Sequence, residues 1–484
     1  KLGGVTGISE LIDIESADDA TKITRLVNAL RVGLQCPDPA VITISSKALG
    51  KLARSSGTLT AEFVELEVRR ALEWLSTGDP RNEMRRLAAV LILMEMASNA
   101  PTLFYVHVAQ FFDLVWFAIH DQSPAVREGA VAALRAALKL IRERESKLRM
   151  QWYFKIFDEA MRGLQLTNPN SIHGCLLCLG ELLESTGDFM QSRFKDTCDV
   201  VLRNREHRDR NVRRAVIMLI QRLALFDPTV FSQTHLNTCM MHLLGILKRD
   251  HKEDRGLVFL AIGELAIAVR VYMRFYLEQL IKVIQASLTQ RGRLFVPEVL
   301  TCISMVASGV GRDLEPHMSA LLDPMFAGGL SQTLVTALSD LARFVPTQLH
   351  NIQERLLDII SAILVNKPFS MPGVAASPLR AQKVDQSYVQ MYLDKDKDPA
   401  TIQLALATLG SFDFRDYNLT EFVRQAVVPY LEDENQATRK EAALTSCALL
   451  VKPSEIAPTR GYSAGIISEV LEKLLVVGIA DPDR

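Results

Sequence analysis

The sequence predicts an all-α fold: an α-solenoid, in which antiparallel helix pairs stack one on the next. Three observations predict it. A short Asp/Asn/Pro turn followed by a helix rich in small residues recurs along the chain. The recurrence comes about every 40 residues in the first half, the period of HEAT and armadillo arrays. Aromatic residues make up only 7% of the 484 positions while Ala, Leu and Val abound, a balance that suits close helix packing better than sheet.

The copies appear in order. Pro37-Asp38-Pro39 precedes "AVITISSKALGKLA", and Asp79-Pro80-Arg81-Asn82 precedes "EMRRLAAVLILMEMA". His120-Asp121-Gln122-Ser123-Pro124 introduces "AVREGAVAALRAAL". Asn168-Pro169-Asn170 and Asp209-Arg210-Asn211 lead into "SIHGCLLCLGELL" and "VRRAVIMLIQRLA". Weaker copies stand at His251–Asp254, Asp398-Pro399 and Glu434-Asn435, and a last turn at Asp481-Pro482-Asp483. Between about residues 293 and 398 the period blurs.

Asp or Asn at such a turn caps the helix by accepting from a free N–H group, and Pro in the first turn lacks the N–H that would go unsatisfied. Inside the helix, Gly129, Ala130 and Ala133 allow a partner to approach closely. Val126, Ala130, Ala133, Leu134 and Ala137 form one apolar stripe at helical spacing. The preceding segment, "LFYVHVAQFFDLVWFAI", reads as one helix whose Phe104, Val108, Phe111, Phe112, Val115 and Ile119 supply bulky partners. A single pair leaves such a face uncovered, and a stacked neighbour covers it. Arg85, Arg127, Arg213 and Arg439 recur just after the turns and are expected to reach the turn aspartate of a neighbour.

The whole of 1–484 is therefore expected to be one continuous solenoid of about ten helix pairs, with loop insertions near 366–398 and 452–465. "LEKLLVVGIADPDR" reads as a first helix and turn awaiting a second, so the parent array is expected to extend past Arg484.

The bulk properties exclude several classes. A formal net charge of -1 gives no global field for nucleic acid or an anionic membrane. No apolar run is read as reaching the length of about 18 residues that a span requires, so direct membrane insertion is not expected. The seven cysteines are scattered and odd in number, which fits a reducing compartment.

Four motifs invite a functional reading. Gly461-Tyr462-Ser463-Ala464-Gly465 has the form of a nucleophile elbow, but "SEIAPTR" before it is proline-broken and no histidine follows His350. His207-Arg208-Asp209 resembles the start of a kinase catalytic loop, yet the position that should hold a metal-binding Asn is Arg214. Cys175 and Cys178 lack the second pair of a structural zinc site and sit among leucines. Arg203, Arg205, Arg208, Arg210, Arg213 and Arg214 form a basic cluster diluted by Glu206 and Asp209; it reads as a solvated ridge, or a contact for an acidic protein, and lacks aromatics for stacking on bases. No P-loop, zinc-protease or dinucleotide fingerprint occurs. The expectation is a segment with no catalytic, metal-ligating or cofactor-binding residues.

Particular segments are more specific than the repeat. "TAEFVELEVRRALEWL" (60–75), "AVREGAVAALRAAL" (125–138), "QWYFKIFDEAMRGL" (151–164), "IHGCLLCLGELL" (172–183), "TCISMVA" (301–307), "LATLGSFDF" (406–414) and "LEKLLVVGIADPD" (471–483) occur in that order. In this arrangement the chain resembles the N-terminal HEAT solenoid of the target of rapamycin (TOR) kinases, serine/threonine kinases of the phosphatidylinositol-kinase-related family. The connections near 164–171, 186–195 and 289–296 are shorter than the family pattern. The resemblance implies a non-catalytic scaffold arm in growth signalling, with ATP and Mg confined to the parent's distant kinase domain. It implies as partners Raptor-like or Rictor-like accessory subunits, a Rheb-type small GTPase, the remainder of the TOR chain and a second TOR copy, and it implies no nucleic acid. Its implied place is the cytoplasm, with the parent also at lysosomal or vacuolar membranes. The alternative is a free-standing HEAT adaptor, such as a transport receptor or phosphatase scaffold, built on the same repeat physics.

Overall fold

Pro39, Pro124, Pro169 and Pro399 each open a helix, preceded by a short polar residue. Asp38 accepts from the Ala40 N–H at 2.9 Å, Asn168 from Asn170 at 3.0 Å and Asp209 from Val212 at 3.2 Å, so the turn chemistry sets where these helices begin. The computed structural model describes the chain apart from residues 15–18, 55–57, 78–81, 145–147, 250–253, 290–296, 370–386, 394–396, 415, 416, 418, 452–467, 469 and 477–484. Among the described residues all regular structure is helical. The chain divides into two units, Lys1–Phe231 and Ser232–Arg484.

The first unit opens with α1 (Leu2–Leu11), which packs on α3. Five pairs follow: α2–α3 (Asp19–Leu34, Pro39–Ala53), α4–α5 (Thr58–Ser76, Glu83–Asn99), α6–α7 (Val108–Ile119, Pro124–Glu143), α8–α9 (Arg149–Gly163, Pro169–Thr186) and α10–α11 (Phe194–Arg203, Arg210–Phe226). The second helices stack in sequence order, α3 on α5, α5 on α7, α7 on α9 and α9 on α11, while the first helix α4 meets α6. This is the two-layer arrangement that the uncovered apolar stripes require. Val126, Ala130, Ala133, Leu134 and Ala137 are all fully buried, as are Phe111, Phe112, Val115 and Ile119 opposite. Each large side chain removed from water contributes about 1.5–3 kcal/mol.

Small residues set the spacing. A Cβ added to Gly174 would lie 1.9 Å from the Ile119 carbonyl oxygen, and one on Gly129 would lie 2.6 Å from a Val90 methyl. The segment before α7 departs from the expected single helix. It is a short helix Pro101–Phe104, a 3₁₀ turn Tyr105–His107 and then α6, with His107 Nε2 at 2.7 Å from a Glu65 carboxylate oxygen.

The second unit contains α12–α13 (Leu236–Lys248, Arg255–Val269), α14–α15 (Leu277–Thr289, Glu298–Val310), α16–α17 (Met318–Phe326, Gln332–Phe344), α18–α19 (Leu349–Leu364, Pro399–Ser411) and α20–α21 (Thr420–Ala426, Gln436–Val451). Here too α13 packs on α15, α15 on α17, and α19 on both α18 and α21. Where the sequence period blurs, pairs are still present. There the 3₁₀ segments Gly311–His317 and Pro346–Gln348, like Arg270–Tyr276 just before that stretch, join the second helix of one pair to the first helix of the next. Ser331 supplies the one clear cap among the described residues of that stretch, accepting from Leu334 N–H at 3.2 Å. Of the 366–398 insertion, Ser387–Gln390 is helical and Tyr392 accepts from the Leu330 N–H at 2.8 Å. The 452–465 insertion lies outside the described residues from 452 onward, as do the turns at 79–81, 251–253 and 481–483.

Two stretches, Pro101–Ile119 and Arg255–Thr289, are long and apolar enough by composition to cross a membrane, which corrects the expectation that no run qualifies. Both are broken, at Tyr105–His107 and at Arg270–Tyr276. In each, part of the bulky apolar surface is fully buried against protein, at Phe104, Phe111, Phe112 and Phe259, while Phe117 and Phe275 are exposed.

Candidate protein-binding surface

The turns between helices carry the most ordered polar chemistry. Arg127, only 1% exposed, donates from Nη1 to the carbonyl oxygens of Asp121 (2.6 Å) and Gln122 (3.0 Å) in its own turn. It also donates to Asn170 Oδ1 at 3.0 Å and from Nε to His173 Nδ1 at 3.0 Å, both on α9. Arg213 repeats the turn-closing half of this pattern on His207 and Arg208, and Arg439 repeats it on Asp433 and Glu434. The post-turn arginine therefore holds its own turn's carbonyls, not the neighbour's aspartate as the sequence led us to expect. Five donors in a planar fork suit it to several carbonyl oxygens at once. The neighbour's aspartate is taken instead in the α5 register by Arg86, whose Nε lies 2.5 Å from Asp121, while Arg85 stacks over the Trp74 ring at 5.6 Å.

A second ladder joins three successive second helices. Glu181 on α9 is buried and accepts from Arg135 of α7 at 2.6 and 2.7 Å and from Arg222 of α11 at 3.0 Å. Burial pushes the Glu181 carboxyl up, but the hydrogen bonds from Arg135 and Arg222 outweigh it and hold the group below its ordinary value. Sequence reading missed this residue. The available signal was Arg135 and Arg222 flanking it at about one repeat on either side.

Two of the tempting motifs resolve into structural roles. Asp209 of the His207–Asp209 motif caps α11, and its own N–H donates to His207 Nδ1 at 3.0 Å. Both bonds hold a closed, helix-capping turn. Cys175 and Cys178 lie inside α9; burial pushes Cys175 up to about 12 and likewise holds Cys178 well above the ordinary thiol value. Such thiols act as small hydrophobes. Burial likewise raises Cys302 to about 12. The Gly461–Gly465 motif lies outside the described residues. Among the described residues no group of three His, Cys, Asp or Glu side chains could hold a metal ion.

Within the basic cluster, Arg203, Arg208 and Arg210 are exposed, whereas Arg205 turns back to the Leu202 carbonyl at 3.0 Å and Arg213 closes its turn. The cluster is a partly self-satisfied edge, not six open cations. The exposed apolar side chains are more telling: in the first unit Val106 is 75%, Phe117 59% and Leu66 52% exposed, all on the first helix of a pair or the segment leading into it. Phe117 was hidden in sequence because it sits in the same apolar run as the buried Phe111 and Phe112. Apolar groups left in water on a stack of helices offer contact area to other proteins.

No protein-family model matches the chain. Its whole length is 38% identical to the serine/threonine-protein kinase TOR of Arabidopsis thaliana, and 91% of it is 41% identical to the serine/threonine-protein kinase TOR of Oryza sativa subsp. japonica. These alignments cover 20% and 18% of the two kinases, so the chain spans about one fifth of the length of the relatives it matches. Among solved structures, the whole chain superposes on karyopherin Kap121p bound to Pho4p with a TM-score of 0.53 at 13% identity, covering 54% of that chain. Kap121p bound to the extreme C-terminus of the phosphatase Cdc14p gives 0.54, also at 13% identity and covering 55%. The structural likeness establishes a HEAT-repeat helical solenoid, and the sequence likeness relates this solenoid to a segment of TOR kinases.

Proposed function

We propose that this chain is a non-catalytic scaffold arm of a TOR-type serine/threonine kinase, holding the assembled complex together and presenting surface to its regulators. One observation carries the reading: identity to TOR kinases runs through the entire chain, and its described residues fold as stacked helix pairs in which the His207–Asp209 and Cys175/Cys178 motifs serve capping and packing. In this reading the arm contributes to dimerisation with a second TOR copy. It docks Raptor-like or Rictor-like accessory subunits and a Rheb-type small GTPase, and it acts in the cytoplasm and at lysosomal or vacuolar surfaces. ATP and Mg serve the kinase domain of the parent, and no residue of this segment is assigned to them. Exposed Val106, Phe117 and Leu66 are the first candidates for such contacts, because apolar and aromatic anchors dominate the energy of protein interfaces.

The test is to co-express the chain with the accessory subunits of a TOR complex, capture it by affinity tag, and assay phosphate transfer on the same material. Capture of at least one subunit without phosphate transfer is the expected outcome. Failure to retain any subunit removes the docking half of the proposal, and transfer by the isolated chain removes the other half.

A further inference from the structure

Three second helices end in one uncommon backbone conformation. Gly187 after α9 has φ 50° and ψ -119°, Gly311 after α15 has φ 57° and ψ -124°, and Arg270 after α13 has φ 48° and ψ -114°. This region is open to glycine and strained for any residue with a Cβ. Arginine stands where the equivalent turns use glycine.

The residues beyond each turn differ as well. After Gly187, Phe189 and Met190 are buried. After Gly311 the exposed groups carry both signs, with Arg312 beside Asp313. After Arg270 the 3₁₀ segment Arg270–Tyr276 buries Met273 and leaves Val271 60%, Tyr272 37% and Phe275 69% exposed. The Arg274 guanidinium lies 4.9 Å from the centre of the Phe275 ring. Ile267, 38% exposed, precedes the turn. The segment contains no acidic residue, and neither Arg270 nor Arg274 has a carboxylate partner among the described residues.

We propose that the Arg270–Tyr276 knuckle docks an acidic peptide segment that carries an aromatic or large aliphatic side chain. Two guanidiniums without carboxylate partners among the described residues offer forked donors to carboxylates, and the exposed Val271, Tyr272 and Phe275 side chains offer apolar and aromatic surface beside them. Charge complementarity favours a peptide over an anionic bilayer. The basic patch is confined to two residues, fewer than the roughly four to eight of a polybasic lipid-binding segment. The strained backbone gives the arginine a role that glycine would not fill, since glycine would hold the turn without cost. The inference rests on the scaffold reading only in supposing that a protein docks here. It names no subunit, so it stands or falls apart from the subunit-capture experiment.

The probe is a fluorescein-labelled synthetic peptide with one phenylalanine flanked by glutamates, alongside a copy with glutamines in place of the glutamates. Both are titrated with the intact chain by fluorescence anisotropy. The wild-type chain is expected to bind the glutamate peptide at least about tenfold more tightly. Arg270→Gly and Arg274→Gln are each expected to weaken it several-fold, and Phe275→Ser about tenfold. Arg270→Gly keeps or raises the thermal midpoint, because it relieves the backbone while removing the charge, so lost binding there cannot be blamed on unfolding. Equal affinity for the two peptides overturns the proposal, as does undiminished binding by the Arg270→Gly/Arg274→Gln double variant. Capture of the chain by phosphatidylserine vesicles, with no binding of the glutamate peptide, overturns it in favour of a lipid surface.

Discussion

Arg127 in the first unit and Arg439 in the second close their turns with the same two bonds, to the carbonyls five and six residues earlier. Arg127 is buried and reaches His173 and Asn170 on the next pair, while Arg439 is half-buried. A shared sequence motif thus makes the same local geometry in both places, but burial and the neighbour's response decide its worth. An exposed charged bond competes with water; a buried one leaves unsatisfied partners behind if removed.

The sharpest way to break that comparison is to truncate both arginines. Arg127→Ala is expected to destabilise the chain by about 4 kcal/mol, since it strands two carbonyls, an amide and an imidazole. Arg439→Ala is expected to cost about 1 kcal/mol. Urea unfolding of the two variants measures the gap, and equal losses would mean burial is not the deciding factor.

Helix spacing offers the next contrast, because here the two units use one device. Gly174→Ala in the first unit sets a Cβ 1.9 Å from the Ile119 carbonyl, and Gly309→Ala in the second sets one 2.3 Å from the Ala266 carbonyl. Backbone on both sides must move, so each is expected to lose about 3 kcal/mol by the same assay.

A pH titration sharpens the Arg127 site alone. Burial first, and the Arg127 charge second, lower His173 to about 4. Its folded value thus lies below the unfolded value of about 6.5. A depressed value means the folded state binds fewer protons, so the stability is present above the unfolded value and lost as pH falls toward the folded one. Unfolding compared at about pH 7 and about pH 5 should show a loss of about 2 kcal/mol that His173→Gln abolishes. The smallest effect is a gain: Gly245→Ala meets nothing within 4 Å and should stabilise α12 by up to about 1 kcal/mol, read as a raised thermal midpoint.

Much of this architecture was legible where local chemistry decides it. Asp38, Asn168 and Asp209 cap helices because a carboxylate or amide beside free N–H groups has few better options. The α7 stripe is buried as its spacing demands. The blurred stretch was illegible for an equally local reason: inside the α16–α17 pair the turn ends on Ser331 with no Asp, Asn or opening proline, so the marker is absent while the pair persists. The break at Tyr105–His107 escaped notice because the apolar run continues straight through it. The arginine register could not be read at all, since Arg85 and Arg86 are adjacent in sequence and only packing shows that Arg86 takes Asp121 while Arg85 lies on Trp74. At the surface, exposed Phe117 and buried Phe112 are the same residue type five positions apart, and composition does not tell them apart.

Glu181 has one further implication, for engineering. Repeat stacks usually tolerate excision or duplication of a whole module, because each meets only its neighbours. Here one carboxylate is neutralised jointly from the module before and the module after. Removing either neighbour as a cassette would leave an anion sealed in the stack with half its counter-charge, so these three modules form a fixed triplet that can be transplanted together but not shuffled.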